Sequence, residues 1–260
     1  VISNDLVTAR FLLNEIKKEY KKDRTRRVES RVGKSGFVEF GIPGSITALM
    51  SAMSFASVDM VQLLLENGAD AYATDSRGMN SFMYSCTLNR VKNVEYWLQQ
   101  YPDWDMEART TLVGGTALGM AVTMGPNRSK LTQLLLEHGA DILSQSHTGS
   151  SILMSACANK DCDIDLIRTV LRSLPNCSLV NLQRKSMTIR WKLIRLLANV
   201  VVRCARKSSG LPYWLAWTSG ATAMHHAVFR GDIEIVELLL SEGANPSIRN
   251  DLGKSAVDMC

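Results

Sequence analysis

The chain has 260 residues, 46% of them hydrophobic, with a mean hydropathy of −0.02 and a formal net charge of +5. That is enough apolar material for a continuous core, yet no apolar run reaches the roughly 18 residues that a membrane-spanning helix needs. The opening residues V-I-S-N-D-L do not read as a secretory leader, and six cysteines without a C-x-x-C pair, beside four histidines, give neither a disulfide framework nor a metal-ligand spacing.

The first element is basic. Residues 10–34 carry ten Lys or Arg against four acids, and Ala9, Leu12, Leu13, Ile16 and Tyr20 fall at helical spacing. Residues 1–34 are therefore expected to form an amphipathic helix that caps whatever follows, because the acids dilute the charge that a phosphate or membrane site would concentrate.

From residue 44 onward the chain repeats itself. L-L-L-E-N-G-A-D at 63–70 returns as L-L-L-E-H-G-A-D at 134–141 and as L-L-L-S-E-G-A-N at 238–245, with weaker copies around Leu98 and Leu171. Each run follows a short T-A-L-M-like marker, at 47–50, 80–83, 116–119, 151–154 and 222–225, and the two series keep one register with steps of 33 to 38 residues and one gap of twice that length. Val58, Val61, Leu64 and Leu65 form an apolar stripe on a helix too short to hide it alone, so each unit must stack on a neighbour. Gly68, Gly139 and Gly243 stand where such a helix needs a left-handed stop, and Tyr101 and Leu174 replace them in the weak copies. The stretches that follow, such as 70–78 and 245–253, have the Asn, Asp, Ser and Gly content of a projecting turn.

The order of motifs in T-A-M-H-H-A-V-F-R-G-D-I-E-I-V-E-L-L-L-S-E-G-A-N at 222–245, and nearly as well at 47–70, resembles the ankyrin repeat. The family's proline after the threonine position is missing from every copy, and only 222–245 keeps its histidine. The resemblance implies an all-α solenoid of about five recognisable helix-turn-helix repeats with projecting turns: repeats 1–4 over 44–186, and repeat 5 with the start of a sixth over 218–260. The unit begun at 253–260 stops before its second helix, as expected of a chain that is truncated or continued beyond it.

Residues 187–217 break the register, as an insertion into a turn or a decayed repeat. Residues 177–231 carry nine Lys or Arg and no acid. Within M-T-I-R-W-K-L-I-R-L-L-A-N-V-V-V-R-C-A-R-K, the residues Ile189, Leu193, Leu196, Leu197, Val200, Val201 and Cys204 share one helical face, with Arg190, Trp191, Lys192, Arg195, Arg203 and Arg206 as the basic and aromatic remainder. Packing of the apolar stripe sideways onto the array is the expected use. Binding to a calmodulin-like protein, whose targets resemble the spacing of Ile189, Leu193, Leu196 and Val202, or to an anionic membrane surface is the alternative.

The resemblance also implies a concave recognition face made of the turn tips and the two variable positions after each inner-helix motif. Carried over by position, the variable pairs are Ser54 and Phe55, Thr87 and Leu88, Thr123 and Met124, Ala158 and Asn159, and Phe229 and Arg230, of which Phe55, Leu88, Met124, Asn159, Phe229 and Arg230 are the partner-binding candidates. The expected function is a protein-binding scaffold without catalysis or cofactor, in the cytoplasm or the nucleus. The alternative is a regulatory ankyrin segment of a larger enzyme or channel. Nucleophile elbow, zinc-protease and phosphate-loop motifs are absent, and neither basic segment has the motif context of a nucleic-acid reader.

Overall fold

The computed structural model describes residues 6–8, 10, 46–204 and 211–259, with only the backbone of Arg203, Cys204 and residues 211–213. The expected basic cap over 1–34 lies outside them apart from residues 6–8 and 10, which are helical. Two compact units divide the chain, Val1–Thr111 and Leu112–Cys260.

In the first unit, α1 (Ala48–Phe55) and α3 (Ser81–Thr87) pack together as inner helices, and α2 (Val58–Glu66) and α4 (Val91–Gln100) pack as the outer pair. The threonine-led markers turn out to be N-caps. Thr47 Oγ1 accepts from Met50 N at 3.2 Å and Asn80 Oδ1 from Met83 N at 2.9 Å, each satisfying one of the donors a helix start leaves open. The weak second copy keeps its core by trading leucine for aromatic rings. Trp97 is fully buried, stands edge-on to Trp104 at 5.1 Å and lies beside Phe82, while Tyr72 stacks on the outer side of Trp104.

The second unit repeats the scheme with inner helices α5 (Ala117–Thr123), α7 (Ile152–Ala158) and α11 (Ala223–Arg230) and outer helices α6 (Ser129–Glu137), α8 (Ile164–Arg172) and α12 (Ile233–Ser241). Thr116, Ser151 and Thr222 begin the inner helices, and a 3-10 turn at Cys177–Asn181 packs on α11. At Thr222 the cap is reciprocal, because His225 Nδ1 lies 3.1 Å from the Thr222 backbone N and 2.9 Å from its hydroxyl. His225 Nε2 reaches Lys254 O at 3.1 Å and so ties repeat 5 to the unit after it. The three glycines at the stops have φ near +85°, as the sequence requires.

The turns close with one recurrent pair of backbone bonds. Asp75 N donates to Met79 O and Gly78 N to Asp75 O; Ser146 with Gly149 and Ser150, and Asn250 with Gly253 and Lys254, do the same. Arg184 with Gly220 and Ala221 makes the identical pair, although α9 (Ile189–Cys204) and α10 (Leu211–Trp217) stand between them. α9 and α10 pack on each other, and α11 packs directly on α7, so the stack is continuous across the segment. Neighbouring turns are also tied edge to edge: His147 N to Val113 O at 2.7 Å, Met187 N to His147 O at 3.0 Å, and Asp251 N to Ser219 O at 2.9 Å.

Candidate functional site

The variable positions sit at or just beyond the C-terminal ends of the inner helices, where the chain swings toward the outer helix. A helix end leaves carbonyls without partners, and the next repeat supplies donors to them. Asn93 Nδ2 lies 3.2 Å from Met53 O and 3.1 Å from Ala56 O, and Arg90 Nη2 donates to Ala56 O at 2.8 Å. One step along the second unit, Asn159 Nδ2 donates to Val122 O at 3.2 Å and Gly125 O at 2.9 Å. Arg230 then donates to Asn159 O, and to Asp232 Oδ2 at 2.9 Å.

These bonds sort the candidates. Asn159 is only 2% exposed and its amide is spent on the preceding repeat, so its side chain holds the corner. Arg230 is largely enclosed for the same reason. Phe55 and Leu88 in the first unit, and Met124 and Phe229 in the second, are left in solvent, with Phe229 68% exposed despite an aromatic contact to Trp217 at 4.8 Å. Packing between adjacent inner helices does not consume them. An open depression of about 750 Å³ beside Phe229 includes Lys160, Arg230, Asp232 and Ile233.

A second concavity was not anticipated. Thr116, the cap of α5, and Gly119, Met120 and Thr123 of α5 line a groove of about 260 Å³ with Ser155 of α7 and the turn residue Ser146. Its sequence signal is a run of small residues at positions 0, 3 and 7 of the inner-helix motif, Thr116, Gly119 and Thr123, which leave room where larger side chains would fill it.

α9 differs from expectation in orientation. The helix is fastened through its polar side: Arg195, 3% exposed, donates to Thr148 O at 2.9 Å and reaches Thr218 O at 3.5 Å, Ala198 is buried, and Trp191 Nε1 donates to Leu112 O at 3.0 Å. Arg184 beneath it donates to Thr148 Oγ1 at 2.8 Å and lies 5.6 Å from the Trp214 ring centre, a cation–π contact. Burial, then Arg195, pushes the Arg184 guanidinium below its usual range to about 9, which leaves it charged at neutral pH. The stripe Ile189, Leu193, Leu196, Leu197, Val200 and Val201 faces solvent, so it is not the packing surface. Arg190 and Lys192 are exposed, while the Arg203 side chain and all of Arg206 lie outside the described residues.

Burial holds the Cys157 and Cys162 thiols and the His226 imidazole in their neutral forms. Burial raises the Cys157 thiol, and raises Cys162 to about 11, which keeps both protonated and weakly nucleophilic. Burial, with Arg184 and His225 nearby, lowers His226 to about 3, so it stays neutral. Among the described residues no cluster of three or more His, Cys, Asp or Glu is placed to hold a metal ion.

Comparison with known proteins agrees with this geometry. Residues 46–76 and 219–251 match the family model of the ankyrin repeat. Among solved structures, the chain is similar to the ankyrin repeat domain of Bcl-3, a member of the IkappaB protein family, at 22% identity and a TM-score of 0.61, covering 100% of this chain and 90% of that one. It is also similar to a chain of the complex between the predatory endopeptidase Bd0816 of Bdellovibrio bacteriovorus and the immunity protein Bd3460, at 22% identity and a TM-score of 0.58, covering 82% and 89%. At that identity the likeness shows the fold.

Proposed function

We propose that this ankyrin-repeat chain is a protein-recognition module that works without catalysis, contacting its partner through Phe55 and Leu88 in the first unit and Met124 and Phe229 in the second. The observation that carries this reading is that all four apolar side chains stand exposed at the positions the fold leaves free to vary, while their polar neighbours Asn159 and Arg230 are committed to structure. Phenylalanine and methionine are among the residues enriched at protein–protein interfaces. The groove lined by Gly119, Thr123 and Ser155 is a second concavity available to such a partner. Domain boundaries follow the same reading: repeats over 44–186, an insertion at 187–217 carried on one turn, and a fifth repeat with the start of a sixth over 218–260. The supporting observation is the shared hydrogen-bond closure at Arg184 and Gly220.

A reducing compartment, the cytoplasm or the nucleus, suits the free thiols of Cys86, Cys157, Cys162 and Cys177. The test is affinity capture from a cell lysate with the full chain and a Phe55→Ser/Met124→Ser variant, after circular dichroism has shown equal helicity. A protein retained by the parent and lost by the variant supports the proposal. Identical captured sets refute it.

A further inference from the structure

The exposed side of α9 is a separate surface, argued independently of the concave face. Its six apolar residues follow one another at helical spacing along 16 residues of helix, and Leu197 is 65% exposed, while the opposite side is held by Arg195, Ala198 and Trp191. Lys185, Arg190 and Lys192 are exposed beside or within the stripe, and residues 177–231 contain no acid. We infer that α9 lays this stripe into the headgroup region of an anionic lipid bilayer while its other side stays fastened to the repeats.

Three observations select that occupant. A calmodulin-like clamp closes around a helix, and α9 is free on one side only; moreover Val202, needed for the calmodulin-target spacing, is half-buried and not on the solvent side with Ile189, Leu193 and Leu196. A second copy that met this face with its own would oppose one acid-free basic segment with another, and like charges repel. A flat anionic surface takes a one-sided apolar stripe and pairs with the cations around it.

The test is sedimentation of the full chain with vesicles of phosphatidylcholine alone or with about one third phosphatidylserine. Beside it run Leu193→Glu/Leu197→Glu and, as a separate control of the concave face, Phe55→Ser/Met124→Ser. The substituted leucines are exposed, so the helical signal should not change, and a circular dichroism spectrum verifies this before binding is read. The expected result is binding to the anionic vesicles, weaker binding to the neutral ones, a loss of about tenfold or more in the leucine variant and none in the control. No binding to anionic vesicles, equal binding to both vesicle types, or binding indifferent to the leucine variant overturns the inference. So does a stripe-dependent complex with calcium-loaded calmodulin or a stripe-dependent dimer when the vesicles are not bound. Loss of vesicle binding in the control with the leucine variant unaffected would place the lipid contact elsewhere and also overturn it.

Discussion

Replacing Gly149 by alanine should be among the most damaging small changes in the second unit. Its φ is +80°, which costs an alanine about 1–2 kcal/mol, and an added Cβ would run into the backbone of Lys185, not the end of a flexible side chain. Relieving that overlap pushes Lys185 away from the turn and breaks or stretches the bond from Met187 N to His147 O, worth about 1 kcal/mol. The sum is about 2–3 kcal/mol. Gly139→Ala is the matched reference, because φ there is +86° but nothing lies within 4 Å of the added carbon, so only the conformational cost of about 1–2 kcal/mol applies. Urea melts of both variants, with hydrogen exchange followed at residues 185–187, give the comparison. Equal destabilisation of the two, or unchanged exchange at 185–187 in Gly149→Ala, would refute the close approach of the two turns.

Asn93→Ala strips donors from the carbonyls of Met53 and Ala56 inside the first unit, and an equilibrium melt should show a loss of about 2–3 kcal/mol, whereas the exposed Gln62→Ala should cost under about 0.5 kcal/mol. Arg195→Ala should release α9 from the turn at Thr148, raising exchange and protease cleavage over 187–217 while α7 and α11 stay protected. His226 binds a proton below about pH 3 when folded but below about 6.5 when unfolded, so the unfolded chain holds the extra proton between those values. Stability should be full above pH 6.5 and fall by about 1.4 kcal/mol per unit below it. His226→Leu should leave a shallower slope owed to His225, which burial also depresses, and an unchanged slope would contradict this assignment.

Much of the fold was legible because its signals are local. The threonine-led markers announce caps at Thr47, Thr116 and Thr222, and the glycine stops and projecting turns follow from backbone conformation that few residues tolerate. The exposure of Phe55, Leu88, Met124 and Phe229 follows from their register after each inner-helix motif. Arg230 has the Asp232 carboxylate two residues along as a local signal, whereas the burial of Asn159 is not marked in the sequence, because its amide is held by backbone carbonyls, which every residue has. The direction of α9 was hidden for the same reason. A helical stripe shows that a helix has two faces, but the choice of inward face was made by Thr148 O, Thr218 O and Leu112 O receiving Arg195 and Trp191. The aromatic core around Trp97 escaped a leucine-based register because Trp104 and Tyr72 come from the turns on either side.

Site-specific photo-crosslinking tests recognition through the inner face most directly. A benzophenone side chain placed at Met124 or Phe229, and in control proteins at the exposed outer-helix positions Glu137 or Glu237, would be irradiated in lysate and the adducts identified. The account predicts one common protein adduct at Met124 and Phe229 that is missing at Glu137 and Glu237. Adducts of equal yield and identity at all four positions, or at the outer positions alone, would contradict it.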